Sequence, residues 1–378
     1  MTSFTNQATL NIDQIGNVLK AKAMHAPRPR PTIIIGEKGI GKTAGARKMF
    51  EATNGHFDRL LFVDGAATNQ GDSRLPVINP DGTKVMITPT NLFTGDSDKP
   101  ILIVVDEIGK MSRPALNETH SILEPLPHVG TENLPEGSMV VATSNFVAEG
   151  LGDVLLDHTL DRADVLIQRK STNDEWVDYA LMRGVHGVVV AFAKDTPEAF
   201  QSAFTDGGSA ENNTMITNPK YRGKQGKVVT PRGLEAAGDA VTMAELAGLS
   251  DDETRAQLQG IIGIEGAAKL DAQLAYNKEL PSWDEMCSNP KGCRVPETAG
   301  ARSVLLFSAL ARMVHREHAG RFGAVATLVA RMGDSWSDIL MKHTMLHKPN
   351  QHGSDALWDA AQATPHMREW TLANMDLL

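Results

Sequence analysis

The sequence predicts an α/β domain built on a parallel sheet, followed by an all-helical domain. Three observations support this. Short, wholly apolar runs, typical of strands inside parallel sheets, recur up to residue 168. A glycine-rich turn that matches GxxxxGK[ST] joins the first of these runs to a helix-forming segment. After residue 172 the strand-like runs fade and helical periodicity takes over. Domains are therefore predicted over residues 1–172 and 173–378, since a chain of 378 residues exceeds what one core usually serves.

Net charge and the distribution of apolar residues limit the partners that the chain is expected to bind and the compartment in which it is expected to work. The chain is acidic, with a net charge of −9 and a pI near 5.7, so it lacks the broad basic face that dominates duplex binding. No nucleic-acid partner is therefore expected. No run is long and apolar enough to span a bilayer. The first residues show no basic region followed by an apolar segment, so we expect no secretion signal and a cytoplasmic protein.

The first domain is predicted to contain two helices, of which the second begins at Thr43, together with five strands and two turns. "NIDQIGNVLKAKAM" carries apolar residues on one helical face, and "HAPRPRP" ends that helix. Between the second and third strands, "NPDG" predicts a hairpin, and "NLPEGS" predicts a turn before the fourth strand. The predicted buried strands are "TIIIG", "RLLFV" (59–63), "ILIVV" (101–105), the apolar part of "SMVVATSN", and "VLIQ" (165–168).

The second domain begins after "RKSTND" and is predicted to be helical. The segment 205–227 is polar and glycine-rich, which predicts a mobile loop. The predicted helices are "DEWVDYALMRGV", "PEAFQSAF", "PRGLEAAGDAVTMAELAG", "ARSVLLFSALARMVHREHAG" and "DSWSDILMKHTML".

The glycine-rich turn predicts a phosphate site. Glycines allow consecutive backbone N–H groups to turn inward around an anion. The helix that follows directs its positive end at the phosphates. Lys42 can reach the β- and γ-phosphates, and the Thr43 hydroxyl can ligate Mg²⁺. The alternative is a chance glycine turn. The predicted nucleotide-binding residues are Gly36, Glu37, Lys38, Gly39, Ile40, Gly41, Lys42, Thr43 and Ala44.

Two acids end the third predicted strand, in "ILIVVDEIG". Asp106 can hold hydrated Mg²⁺ beside the phosphate loop. Glu107 can orient and deprotonate the attacking water, so the pair favours hydrolysis over mere binding. The alternative is a surface acid pair at a strand end.

Two further residues fit the same site. Asn145 closes the fourth strand, where its amide could position the water. Arg162 precedes the fifth strand, where a guanidinium could neutralise charge that develops on the γ-phosphate. The alternative for Arg162 is a salt bridge with Asp161 or Asp164, in which case Arg169 would be the second choice.

In this order the motifs resemble those of AAA+ ATPases, and more narrowly those of the MoxR branch, with its CbbQ-type and phage-encoded members. The resemblance rests on GEKGIGKT, VVDEIG, VATSN and LDRADVLI, with "DEWVDYALMRGVH" and "VVTPRGLEAAGDA" similar to lid segments, and it runs from about residue 30 to about residue 345. One departure is Gly109-Lys110, which stands where the family often has an asparagine–arginine pair.

The resemblance implies a fold, ligands and roles. The fold would be an AAA+ core followed by an α-helical lid with a C-terminal helical extension. Lys42 and Thr43 would bind ATP and Mg²⁺, Asp106 would support the metal, and Glu107 would activate the water. Asn145 would be the sensor-1 residue.

The resemblance also implies an assembly. Arg162 would act on the ATP of a neighbouring subunit in a homo-oligomeric ring, usually a hexamer, and Arg232 would read the nucleotide from the lid. The two hairpins would face the pore or the substrate. The physical context agrees for Arg232, because a cation in the first turn of a helix opposes the helix dipole and is better explained by an anionic partner. The alternative is a solvated arginine.

Three functions follow as hypotheses. The first is a ring-shaped chaperone or remodelling motor that acts on a protein client with a partner that carries a von Willebrand A domain, in the cytoplasm, or in the host cytoplasm if the chain is phage-encoded. The second is a DNA-directed AAA+ motor such as a helicase loader or translocase. The third is a nucleotide-dependent scaffold that does not hydrolyse ATP, which the presence of Glu107 opposes.

Overall fold

The computed structural model describes residues 8–69, 71, 74–78, 85–89, 98–124, 127–129, 132–146, 157–206, 208–221, 223–348 and 355–373. Contacts divide the chain into two compact units. The first contains Met1–Lys170, Ser202–Gly207 and Thr217–Gly223, and the second contains Ser171–Gln201, Gly208–Ile216 and Lys224–Leu378. The assignment of residues 1–172 to nucleotide binding and 173–378 to a lid stays a prediction.

A six-stranded parallel sheet forms the centre of the first unit. Its strand order is β1-β10-β2-β9-β6-β3, so the strand before the phosphate loop, β2, lies inside the sheet. The strands are β1 (Thr9–Leu10), β2 (Thr32–Ile35), β3 (Leu60–Asp64), β6 (Leu102–Asp106), β9 (Met139–Ser144) and β10 (Asp164–Gln168).

Helices cover both faces of this sheet. Side chains alternate between faces along each strand, so Ile33 and Ile35 enter one core while Ile34 enters the other. Residues of α1 (Ile12–His25) and α2 (Lys42–Ala52) fill the core that contains Ile34. Residues of α3 (Arg113–Thr119) belong to the opposite core, and α4 (Asp157–Asp161) precedes β10.

Two small hairpins complete the first unit. β4 (Arg74–Ile78) and β5 (Val85–Pro89) pair antiparallel, which confirms the hairpin predicted around "NPDG", although the turn itself lies outside the described residues. β7 (His128–Val129) pairs antiparallel with β8 (Glu132–Asn133) just ahead of the predicted "NLPEGS" turn. Whether either hairpin faces a pore stays a prediction.

The second unit is helical among its described residues, and one large apolar core joins most of its helices. The longest helix, α8, is broken at Gly263, where φ is 81° and ψ is 168°. The helices are α5 (Asn173–Met182), α6 (Gly187–Asp195), α7 (Pro231–Ala247), α8 (Asp251–Glu279), α9 (Trp283–Ser288), α10 (Ala299–Met313), α11 (Arg316–Ala319), α12 (Phe322–Ala330), α13 (Asp334–Thr344), α14 (Asp355–Gln362) and α15 (Pro365–Ala373).

These findings confirm the predicted fold class, a P-loop α/β sheet flanked by helices and followed by helices. Two details were wrong. The second predicted strand, β3, is not fully buried, because it forms an edge of the sheet and leaves Phe62 43% exposed. "PEAFQSAF" forms only a 3₁₀ turn at Pro197–Phe200 and then a tight turn. Among the described residues, we find no helix with the length and apolar character needed to cross a membrane.

Candidate functional site

The phosphate loop connects the end of β2 at Ile35 to the start of α2 at Lys42. Gly41, the residue before the helix, has φ 87°, which a residue with a side chain rarely adopts. At Gly36 a Cβ atom would lie 2.7 Å from the carbonyl oxygen of Gln168 on β10. The Gln168 side chain in turn donates a hydrogen bond to the Ile40 carbonyl at 2.9 Å. The glycines of the motif are therefore required by the shape of the loop and by the neighbouring strand.

Lys42 is the centre of the site. Its ammonium is buried and donates hydrogen bonds to the carbonyls of Gly36 at 2.9 Å and Glu37 at 2.6 Å. It also donates to Asn145 Oδ1 at 2.8 Å. The loop and the end of β9 thus converge on one cation, which brings together two residues that the sequence places about a hundred positions apart.

Asp106 connects the phosphate helix to the sheet. Its Oδ1 atom accepts hydrogen bonds from Thr43 Oγ1 at 2.8 Å and from Thr143 Oγ1 at 2.5 Å. Thr43 lies in the first turn of α2, and Thr143 lies on β9, the strand next to β6. Asp106 is therefore held by hydroxyls on both sides.

The same residues suit a magnesium ion. Mg²⁺ prefers oxygen ligands, and proteins usually hold it through one or two carboxylates together with substrate phosphates. The Thr43 hydroxyl and the Asp106 carboxylate are oxygen donors within 2.8 Å of each other beside the phosphate loop. Because this donor set matches the ion, these residues fit the predicted metal site.

Glu107 has an unusual backbone. Its φ of 53° places a non-glycine residue in the left-handed region, a conformation that persists only where the surroundings enforce it. The enforcing contact is the backbone N–H of Glu107, which donates to Thr143 Oγ1 at 3.1 Å. The Glu107 carboxylate accepts a hydrogen bond from Lys110 Nζ at 2.6 Å.

Arg162 pairs with an acid that the sequence did not suggest. Its Nε donates to Glu124 Oε1 at 2.8 Å, and the two side chains are 35% and 38% exposed. Asp164, one of the alternatives considered above, contacts Lys22 at 2.7 Å and Arg30 at 3.5 Å. Arg169, the second choice for this role, donates to the Lys170 carbonyl.

The other predicted residues divide between the loop and the second unit. Glu37 and Ile40 are buried, whereas Lys38 and Ala44 are exposed. Arg232 is exposed and lies in the first turn of α7, as the sequence predicted, and Thr230 is the N-cap of that helix. Its role as a nucleotide sensor stays a prediction.

Among the residues that contact the predicted ones, sequence reasoning missed Thr143, Lys110 and Glu124. Thr143 could have been found, because residues two apart on a strand share a face and Thr143 lies two before Asn145. Lys110 lies three residues after Glu107, a spacing that brings side chains together in a helical turn. Glu124 carried no such signal, since the chain separates it from Arg162 by 38 positions.

Comparison with known proteins is informative only among solved structures. No protein-family model matches the chain, and no curated protein matches it. The RuvB Holliday junction branch migration motor of Thermotoga maritima is 13% identical over 73% of each chain, with a TM-score of 0.37. NtrX of Brucella abortus in complex with ADP is 14% identical over 88% of this chain and 68% of its own, with a TM-score of 0.36.

The Hsp104–ADP complex of S. cerevisiae is 16% identical over 41% of this chain and 32% of its own, with a TM-score of 0.26. All three TM-scores are below 0.5, so these likenesses carry no argument about this chain, and its function is inferred from the geometry of its own residues.

Proposed function

We propose that this chain is a MoxR-like AAA+ ATPase that works in the cytoplasm as a homo-oligomeric ring, usually a hexamer in that class. It remodels a protein client with a partner that carries a von Willebrand A domain. One observation carries the ATPase part: beside the phosphate loop, Lys42 donates hydrogen bonds to loop carbonyls and to Asn145, and the next residue, Thr43, donates one to Asp106. The client, the partner and the ring are proposed from the sequence resemblance.

Each residue has a role that its position supports. Backbone N–H groups of the loop and the first turn of α2 face the phosphates. Lys42 exchanges part of its present set of oxygens for phosphate oxygens. Thr43 and Asp106 would hold Mg²⁺, which when bound neutralises charge on the β- and γ-phosphates. Asn145 positions the attacking water.

Glu107 is the proposed general base. It orients the water and accepts its proton as the oxygen attacks the γ-phosphorus and the bond to the β-phosphate oxygen breaks, which gives ADP and phosphate. To do this, Glu107 must release Lys110 and bind the water. The pair is about one-third exposed, so breaking this ion pair costs little free energy. Arg162 of a neighbouring subunit would neutralise the developing charge, after it exchanges Glu124 for the γ-phosphate.

Steady phosphate release tests hydrolysis. Wild type is expected to turn over ATP, and Glu107→Gln is expected to lose about 10²- to 10⁴-fold in turnover, as befits a general base, while it still binds ATP. Glu136→Gln, an exposed acid in the turn before β9, is the matched control. Turnover that survives Glu107→Gln removes Glu107 from its role, and a wild type without release under every assembly condition favours the scaffold.

Capture of bound proteins tests the proposed client and the proposed von Willebrand A partner. A tagged Glu107→Gln chain with ATP is expected to retain the von Willebrand A protein and the client, identified by mass spectrometry, whereas Lys42→Ala is not. A parallel anisotropy titration with single- and double-stranded DNA at several salt concentrations addresses the competing function. Tight, salt-sensitive DNA binding contradicts the protein-client proposal and supports a DNA-directed motor.

A further inference from the structure

The turn Ser202–Asp206 belongs with the phosphate site although its flanking residues do not. The chain enters it from Gln201 and leaves it towards Gly208, both in the second unit, yet the turn groups with the first unit. It is closed on itself: Ser202 N–H donates to Asp206 Oδ2 at 2.8 Å, and the Phe204 and Thr205 N–H groups donate to Ser202 Oγ at 3.2 Å. A turn this well bonded can transmit displacement as a unit.

Its first anchor is Glu37, the second residue of the phosphate loop. The Glu37 side chain is buried, and the Ser202 hydroxyl and the Asp206 carboxylate of the turn are near enough to act on its ionisation. Burial raises the pKa of Glu37, as does the Asp206 charge, while the charges of Lys170 and Lys42 and the Ser202 hydroxyl lower it. The backbone carbonyl of the same Glu37 accepts from Lys42 Nζ at 2.6 Å. One residue therefore contacts the phosphate-binding lysine and the turn.

Its second anchor is the ring of Phe204, which stacks on Phe146 with centroids 4.9 Å apart and an interplanar angle of 17°. Phe146 directly follows Asn145, whose Oδ1 accepts from Lys42 Nζ at 2.8 Å. The turn thus contacts, through adjacent residues, two of the segments whose oxygens hold the Lys42 ammonium.

We infer that the turn Ser202–Asp206 senses whether Lys42 is bound to its own chain or to a nucleotide, with Glu37 and Phe204 as positioning residues. This inference rests on the proposed function. A triphosphate takes Lys42 away from the Glu37 carbonyl and the Asn145 amide. It also removes a positive charge that favours the ionised Glu37 carboxylate. Both changes weaken the two anchors, so ATP loosens the turn and, through it, the chain on either side.

Hydrogen exchange on the wild-type chain tests the inference without any substitution. With ATP added, the amides of Phe204, Thr205 and Asp206, which are bonded within the turn, are expected to exchange about 5-fold faster, in line with the usual size of coupling between sites. Unchanged or slower exchange at saturating ATP overturns the inference while the proposed function stands. A wild type that binds no ATP overturns both.

Coupling is reciprocal, so variants give an independent readout. Phe204→Ala and Glu37→Ala, which release the turn, are expected to bind ATP several-fold more tightly than wild type. Thr205→Ala, an exposed residue of the same turn, is the matched control. Equal affinities in Phe204→Ala, Glu37→Ala and the control would contradict the inference.

Discussion

Two aspartates, one in each unit, each accept two side-chain hydrogen bonds, but we expect them to have different roles. Asp106 accepts hydrogen bonds from the hydroxyls of Thr43 and Thr143 at the end of a parallel strand. Asp195, at the end of α6, accepts them from Ser303 Oγ on α10 at 3.0 Å and from Gln273 Nε2 on α8 at 3.1 Å. The number of partners therefore does not mark a reactive carboxylate.

What differs is the place of each aspartate in the fold. Asp106 lies where strand ends, a phosphate loop and a helix N-terminus meet, so a ligand can join its partners. Asp195 lies at the exposed end of α6, where side chains of α8 and α10 hold it. Partial desolvation of its carboxylate raises its pKa despite the bonds from Ser303 and Gln273 and the charge of Lys194. The first arrangement suits chemistry, and the second suits a fixed structure. Substitutions in both units can test this contrast.

The largest effect is expected for Arg162→Ala, which tests whether a neighbouring subunit completes the site around Lys42 and Asp106. Arg162→Ala is expected to lower turnover by about 10³-fold or more, the usual contribution of an arginine finger, with ATP binding unchanged. Rings that mix Arg162→Ala with Lys42→Ala subunits are expected to regain activity, because each supplies what the other lacks. The measurement is phosphate release against mixing ratio.

Arg30→Ala serves as the control for Arg162→Ala, since Arg30 contacts the carbonyl of Asp161 and the carboxylate of Asp164 in the same corner. It is expected to leave turnover near wild type. Mixed rings that stay as inactive as their components would show that Arg162 does not act across subunits. The contrast between Asp106 and Asp195 would then have no support from activity.

The next effect concerns the hydroxyl that Asp106 and Glu107 share. Thr143→Val keeps the shape of the side chain but removes both hydrogen bonds, and it is expected to lower turnover about 10- to 100-fold, as for other residues that orient metal ligands. The measurement is turnover as a function of Mg²⁺ concentration. Ser144→Ala, on the next residue of β9, is the control, and an equal response in both variants would count against the role of Thr143.

The smallest effect concerns Asp195. Because its pKa is raised in the folded state, the folded chain binds more protons than the unfolded chain just above the ordinary aspartate value of 3.8. Its contribution to the unfolding free energy therefore falls as pH rises from that value through the raised pKa, and then levels. Asp195→Asn is expected to lack this slope, so its stability should differ from wild type by an amount that changes with pH.

Fluorescence can follow this in the second unit alone, because it contains all five tryptophans: Trp176, Trp283, Trp336, Trp358 and Trp370. Denaturant unfolding from pH 4 to 7 is the measurement, with Asp239→Asn on the exposed side of α7 as the control. Parallel curves for Asp195→Asn and wild type would mean that Asp195 is not the titrating group.

The sequence predicted the parts of the fold in which the local pattern of apolar residues matches their burial in the folded chain. Ile33 to Ile35 and Leu102 to Val105 are apolar because both faces of the sheet are covered, so the pattern and the fold coincide. Helix α6 shows the opposite. Its "GVVVAFA" is rich in valine, which favours strands, yet it is helical because the second unit buries it on every side, from Gly187 to Ala193.

At the candidate site, too, some features follow from short sequence motifs and others depend on contacts between distant segments. The GxxxxGKT turn and the acids at the end of β6 are short motifs of adjacent residues, so the sequence alone reveals them. Because the carboxyl ends of parallel strands meet at one edge of the sheet, Lys42, Asp106 and Asn145 could be expected to lie together. The Glu124 partner of Arg162 and the stacking of Phe204 on Phe146 depend on segments far apart in the chain, which no local pattern encodes.

The three oxygens around Lys42 have a consequence for folding itself. A buried ammonium without partners would strongly destabilise the chain, but here carbonyls and an amide already satisfy it. These oxygens all come from the chain itself, so the entropy of ordering this loop is lost when the chain folds.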